Sequence, residues 1–122
     1  MRHCLLLLLL SHFIAADQLW LSGGWGPIGD LNKPYLKEIA EFAVSEISKQ
    51  SRKKLVFQSV LKGERQVVRG FNYLLDIEVK DESSPHSSST VIYKCSVFSG
   101  ILDEGMKFKG CEILSGRVDV NF

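Results

Sequence analysis

The stretch that decides the fold is Glu64–Lys80, which reads ERQVVRGFNYLLDIEVK. In its second half, apolar side chains occupy every second position from Phe71 to Val79, and mostly polar residues stand between them. A period of two is typical of a β-strand with one buried face. The first half connects this strand to another strand signal before it. The stretch therefore predicts a β-hairpin whose connection contains two valines.

Two interpretations of this connection stay open on the residues alone. Hairpin tips usually carry polar residues such as Asn-Gly, whereas Val67 and Val68 are apolar and β-branched. In one interpretation both valines finish their strand inside the sheet, and only Arg69 and Gly70 turn. In the other, the valines lie at the tip and expose apolar surface, which would favour a binding function.

An amphipathic helix is predicted before this hairpin. Pro34 is tolerated in a first helical turn, and Asn32 is the expected N-cap. Apolar residues then recur at the spacing of one buried helical face: Leu36, Ile39, Ala40, Ala43 and Ile47. The pattern ends near Gln50, and the basic run that follows, residues 52–54, suits the negative end of the helix dipole.

Further strand signals surround these two elements. The segments rich in apolar and β-branched residues are Leu55–Lys62, Thr90–Phe98 and Met106–Val120. The last should be interrupted at Gly110 and Gly116, while Asp81–Ser89 is expected to be a polar loop and Leu102–Gly105 a turn. Since all elements are locally connected, the sequence predicts an α+β fold. Its antiparallel sheet of four to five strands packs on one long α-helix.

The N-terminus has the features of a secretory signal peptide over residues 1–16. Arg2 supplies a positive charge, Leu5–Leu10 an apolar run too short to span a bilayer, and Ala15–Ala16 a small-residue boundary. An N-terminal core helix is the alternative. We expect a single domain at 17–122, secreted to the extracellular space or carried to the vacuole by the same pathway. After signal removal no membrane association is expected.

A Gly-rich lead segment, Asp17–Asp30, carries the two tryptophans of the chain, Trp20 and Trp25. We interpret this segment as flexible. Exposed aromatic residues on such an arm contact either the domain's own surface or a partner, and for Trp25 the first is favoured.

Charge and cysteine content narrow the function classes. The chain has 15 Lys+Arg against 14 Asp+Glu, so no overall field predicts binding to nucleic acid. Beyond the signal, Cys95 and Cys111 remain, which leaves either one disulfide or two free thiols. A hairpin turning at Asp103 would place them opposite each other, whereas a shift by one residue would point them to opposite faces.

An enzymatic function is not predicted. The only histidine after the signal, His86, lies in the polar loop, and no phosphate-binding loop or metal-ligand spacing occurs. Paired carboxylates such as Asp76 and Glu78 lie on a polar strand face, which does not offer the contrasting environments that an acid–base pair needs. We expect no catalytic residue, no cofactor and no metal.

Three features together resemble one family. Gln66, Val68 and Gly70 match the QxVxG motif of the first inhibitory hairpin of cystatins. The run Ile39–Val44 is similar to the helix signature LARFAV of plant cystatins, and Gly23-Gly24 is similar to the glycine-bearing N-terminal trunk. The chain resembles the plant-type cystatins, or phytocystatins, from Gly23 to about Val79.

The resemblance implies a curved antiparallel sheet wrapped around one long helix, and a secreted, reversible inhibitor of papain-like cysteine proteases. Such inhibitors block the active-site cleft with a wedge formed by the N-terminal trunk and two hairpin tips. The partner is then a papain-like protease, and we expect a monomer. The implied protease-binding residues are Gly23, Gly24, Gln66, Val67, Val68, Arg69, Gly70, Ile101 and Leu102.

The second hairpin departs from the family pattern. Family members usually carry a Pro-Trp pair there, whereas the corresponding region, Phe98–Glu104, contains neither residue. Ile101 and Leu102 are apolar, near the right position, and would substitute. Paired cysteines are also untypical of the plant type. The alternative function is a cystatin-fold binding protein with weakened or lost protease inhibition.

Overall fold

The computed structural model describes residues 24–120, with side chains to residue 116. The predicted signal peptide and the lead segment up to Gly23 lie outside the described residues. The elements are β1 (Trp25–Pro27), α1 (Pro34–Ser51), β2 (Leu55–Val68), β3 (Gly70–Asp81), β4 (Ser87–Ser99) and β5 (Met106–Val120). The strands form one antiparallel sheet in the order β1-β2-β3-β4-β5. One helix on this five-stranded sheet confirms the predicted α+β fold.

The core lies between one face of α1 and one face of the sheet. From α1 it takes Leu36, Ile39, Ala40, Ala43 and Val44, and from the sheet Tyr73, Leu75, Ile77, Val79, Tyr93, Cys95 and Val97. The predicted helical stripe is therefore correct, although Val44 is buried more completely than Ile47. Each large side chain of this set contributes about 1.5–3 kcal/mol relative to exposure. We call the face of the sheet that packs on α1 the inner face, and the opposite face the outer face.

The predicted helix start is wrong by one residue. Lys33, with φ −63° and ψ 137°, is the N-cap residue and its side chain makes no capping bond. Pro34 disfavours a helical conformation at the residue before it, so Lys33 stays extended and Asn32 cannot be the cap. The Asn32 N–H instead donates to Asp30 Oδ1 at 3.0 Å.

The strands are longer than the sequence pattern predicts. Asp81 pairs with Ser89, so the polar loop is reduced to residues 82–86. β5 is one continuous strand through Gly110 and Gly116, and the predicted interruptions take the form of two register shifts in its pairing with β4, at Lys109 and at Leu114. Backbone pairing with a neighbouring strand stabilises these polar and glycine positions, which have no strand signal of their own.

β1 is a strand that the sequence does not reveal. Trp25, Gly26 and Pro27 pair with Gln66, Arg65 and Glu64. The interpretation of the whole lead segment as flexible is therefore wrong for residues 25–27. Three residues including a glycine and a proline carry no periodicity, and β2 holds them in place by pairing.

Cys95 and Cys111 form a disulfide. Near the turn, β4 and β5 pair Ser99 with Met106 and Val97 with Phe108, a register that would not bring the cysteines together. The register then shifts by one residue: Ser96 pairs with Gly110, so Lys109 has no partner residue in β4. Gly110 has a φ of 134° at this shift. This β-bulge sets Cys111 opposite Cys95 on the inner face.

Candidate functional site

Both long hairpins end at the same end of the sheet. β2 and β3 close over Arg69, because Val68 pairs with Gly70. β4 and β5 close over residues 100–105, and Phe71 at the start of β3 pairs with Ser99 at the end of β4. We call residues 67–70 the first tip and residues 100–105 the second tip. The two tips are therefore neighbours.

The N-terminal segment reaches the same end. Trp25 pairs with Gln66 next to the first tip, and Gly24 directly precedes it. The sheet thus gathers Gly24, Gln66, Val67, Val68, Arg69, Gly70, Ile101 and Leu102 at one end. Gly23 lies outside the described residues.

The first tip combines features of both sequence interpretations. Val67 and Val68 lie in β2, as one interpretation states, and Arg69 alone forms the exposed turn. Val68 is nevertheless 40% exposed, as the other interpretation requires. Val67 is half-buried opposite Phe71.

Gly70 is required at this tip for two reasons. Its φ of 109° is unfavourable for any residue with a Cβ atom. A Cβ atom there would also lie 2.7 Å from the Ser99 carbonyl oxygen and 2.9 Å from Cζ of Phe98. The first hairpin therefore packs directly on the end of β4, the strand that leads into the second tip.

An amide pair links the two strands of the first hairpin on the outer face. Asn72 Nδ2 donates a hydrogen bond of 2.9 Å to Gln66 Oε1, and the two residues are register partners. Asn72 Oδ1 is buried and has no hydrogen-bond partner among the described residues. Replacing Gln66 would leave a second buried polar group of Asn72 unpaired.

On the inner face the hairpin is held by an arginine and two aromatic rings. The guanidinium carbon of Arg65 lies 5.3 Å from the centroid of the Phe71 ring, within the range of a cation–π contact. Burial raises the pKa of Tyr73 above its usual 10.0, and a hydrogen bond from Arg65 offsets part of this increase.

The second tip is a closed turn with an exposed leucine. The Gly100 N–H donates to the Gly105 carbonyl oxygen at 2.8 Å, and Leu102–Glu104 forms one turn of 3-10 helix. Leu102 is 96% exposed and has a φ of 54°, while Ile101 is 39% exposed. A left-handed conformation costs a leucine about 1–2 kcal/mol. Strain of this kind clusters at functional sites.

Trp25 is a site residue that sequence reasoning did not place. It is 46% exposed beside Gln66, so it extends the apolar surface of the first tip. The sequence showed a tryptophan next to the glycines, but its position follows only from the pairing of β1 with β2.

Metal and membrane sites were also sought within residues 24–120. In this part of the chain, no three His, Cys, Asp or Glu side chains are close enough to hold a metal ion. No helix there has the length and apolarity needed to cross a membrane.

Comparison with known proteins agrees with this architecture. The family model SQAPI, described as aspartic acid proteinase inhibitor, matches residues 28–105. Cysteine proteinase inhibitor 5 of Arabidopsis thaliana is 45% identical in an alignment of 80 residues, which covers 62% of this chain and 66% of that protein. Cysteine proteinase inhibitor 1 of Actinidia chinensis var. chinensis is 43% identical over 72 residues, 59% of this chain and 62% of that protein.

The crystal structure of Al-CPI is similar in fold, with a TM-score of 0.55 and 18% identity over 75% of this chain and 99% of that one. The chain spans slightly less than two thirds of the length of the curated relatives described above. The family match covers well over half of the chain, and its relatives are inhibitors and not enzymes. The chain therefore belongs to the SQAPI family of aspartic acid proteinase inhibitors and, with its plant relatives, to the plant-type cystatins.

Proposed function

We propose that this protein is a secreted, reversible inhibitor of papain-like cysteine proteases, active as a monomer after removal of residues 1–16. The observation that carries the proposal is the meeting of the β1 segment and both tips at one end of the sheet, with Val68 and Leu102 exposed there. The names of the relatives, cysteine proteinase inhibitors, support the protease class.

The geometry suits a wedge that blocks a cleft. The first tip is braced by the amide pair and by the contact of Gly70 with β4. Because these groups are already ordered, little conformational entropy is lost when they dock. Gly24 directly precedes β1 beside the first tip, and we expect Gly23 and Gly24 to occupy one side of the cleft.

Leu102 takes the role of the missing tryptophan in this proposal. A turn of 3-10 helix presents it at the apex of the second tip, almost fully exposed. An apolar anchor in the centre of an interface contributes about 2 kcal/mol or more when it is fully desolvated. Leucine offers less contact area than tryptophan, so we expect weaker inhibition than an intact Pro-Trp pair would give.

Titration of papain with the purified protein tests the proposal. We expect residual activity to fall reversibly, with half inhibition at about micromolar protein or below, an affinity of about 8 kcal/mol. No inhibition at that concentration would contradict the proposal.

Truncations at the tips test the wedge. Val68→Ala removes two methyl groups, at about 0.8 kcal/mol per buried group, and should raise the inhibition constant about tenfold. Leu102→Ala should have at least this effect. The matched control is Val56→Ala, because Val56 is 38% exposed in the same strand but pairs with Lys80 at the other end of the sheet. Gln66 is left intact because of its bond to Asn72.

Inhibition of aspartic proteases is the second candidate, favoured by the description of the matching family. Titration of pepsin in parallel with papain separates the two classes. Inhibition of pepsin alone would transfer the proposal to aspartic proteases. If neither enzyme is inhibited, the chain is a cystatin-fold binding protein without this activity.

A further inference from the structure

A groove lies on the inner side of the second tip, between this tip and the first turn of α1. Its volume is about 490 Å³. Its walls are mainly apolar and aromatic, and include Tyr35, Ile39, Phe71, Tyr73, Leu102 and Met106. The groove therefore connects the helix to the end of the sheet at which the tips lie.

The walls of the groove are open to solvent. Tyr35, Ile101 and Met106 are 37%, 39% and 38% exposed, although equally apolar neighbours such as Ile39 are buried. The Tyr35 and Tyr73 rings lie 6.3 Å apart at a tilt of 52°, a favourable aromatic arrangement. A contiguous apolar surface of this kind is typical of an interaction site.

Acidic residues lie on the helix wall of the groove and on the second tip. Glu38 is the charged side chain among those that line the groove, and Asp103 and Glu104 follow Leu102 on the second tip. Arg65 contacts the Phe71 and Tyr73 walls, and Lys37 is paired with Glu41 at 3.8 Å. Glu38, on the helix wall, makes no ion pair among the described residues. An occupant of this groove must therefore combine an apolar stem with a positive charge.

We propose that the groove receives a lysine or arginine side chain from the rim of the target protease's cleft. The methylene stem packs between Tyr35 and Met106, and the charged head lies at the Glu38 carboxylate. Lysine and arginine bury their stems in this way while they keep the head near water or a counter-ion. The aromatic walls add a cation–π contribution.

A protease is the occupant because the groove is continuous with the proposed wedge. Leu102 is part of the proposed wedge and also lines the groove. The wall of the protease cleft that contacts the second tip would therefore also face the groove. A purely apolar side chain fits less well, because it would desolvate Glu38 without pairing it. This inference rests on the proposed function and adds α1 as a further contact, one that selects proteases with a basic rim.

The test compares two helix variants against papain. Glu38→Gln should raise the inhibition constant about fivefold or more, since a partly desolvated ion pair is lost, and should weaken the dependence of inhibition on salt. Glu41→Gln is the matched control, because it removes the same charge one turn further along α1, outside the groove. It breaks only the exposed pair with Lys37, and such pairs contribute little, so inhibition should stay within about twofold of the wild type. Glu38 is exposed, so both variants should unfold at the wild-type temperature.

A double-mutant cycle identifies the partner side chain. Single substitutions of the lysines and arginines on the rim of the papain cleft are combined with Glu38→Gln, and one of them should couple about fivefold. Equal inhibition by the two helix variants, or no coupling at any rim position, overturns this inference while the proposed function stands. Absence of inhibition by the wild type removes both.

Discussion

Because Gly70 has no side chain, the first tip can lie directly against the end of β4. The backbone has a φ of 109°, and the Ser99 carbonyl oxygen occupies the space that a Cβ atom would need. Gly70 is the glycine of the QxVxG pattern, and its backbone conformation accounts for a glycine at this position. Its reason is tertiary as well as local, since the neighbour it accommodates comes from β4, 29 residues along the chain.

Gly70→Ala should destabilise the protein by about 1–3 kcal/mol, because the backbone must leave its conformation or push Ser99 away. Inhibition should weaken as well, since both tips would shift. The control is Gly29→Ala, a position with no positive φ and no atom within 4 Å of the added carbon. Urea unfolding of both variants measures the difference. Equal stabilities would mean that the contact with Ser99 is not restrictive.

At the scale of elements, a bulge decides how β4 and β5 are joined. Lys109 is the extra residue that brings Cys111 opposite Cys95. Symmetry about Asp103 correctly suggested facing cysteines, although the turn itself is centred half a residue earlier and the bulge makes up the difference. Gly110 indicated an interruption at this position, but neither the glycine nor a count of residues from the turn shows that the interruption adds a single residue to β5.

Replacement of both cysteines by alanine should cost about 3 kcal/mol, the loop-closure contribution for a separation of 16 residues. Urea unfolding with and without a thiol reductant provides the measurement. The reductant should lower the midpoint of the wild type and leave that of the double variant unchanged. A wild-type midpoint insensitive to complete reduction would contradict this expectation.

Periodicity predicted α1, β3 and the core face, because burial on one face leaves a repeating mark on the sequence. β1 and the serines at the start of β4 show no periodicity in the sequence, because pairing with the neighbouring strand determines their conformation. For the same reason the Tyr35–Glu38 groove was not predicted. Neither residue belongs to the predicted buried stripe of α1, and only the fold brings the second tip beside them.

For the whole molecule, stability in alkali depends on a buried phenol. Tyr73 lies between α1 and the sheet, and burial raises its pKa above 10.0. The fold therefore favours the neutral form. This contribution is complete below pH 10.0 and is lost as the pH rises from there through the folded-state value.

Tyr73→Phe should make the protein less sensitive to alkaline pH. The variant loses the hydrogen bond from Arg65, at about 1 kcal/mol near neutral pH. Between about pH 9 and about pH 11, however, its free energy of unfolding should fall less than that of the wild type. Urea unfolding across this range gives both slopes. Parallel slopes would show that Tyr73 titrates alike in the folded and unfolded chains.

The pairing of Phe71 with Ser99 has a consequence for the kinetics of the proposed inhibition. Neighbouring strands hold the two tips as one rigid unit, so once either tip has docked, the other faces its own contact at a high effective concentration. The contact made by Leu102 then acts mainly by slowing dissociation of the complex. Variants of either tip should therefore associate with the protease at nearly the wild-type rate and dissociate faster, with residence time as the property that the sheet controls.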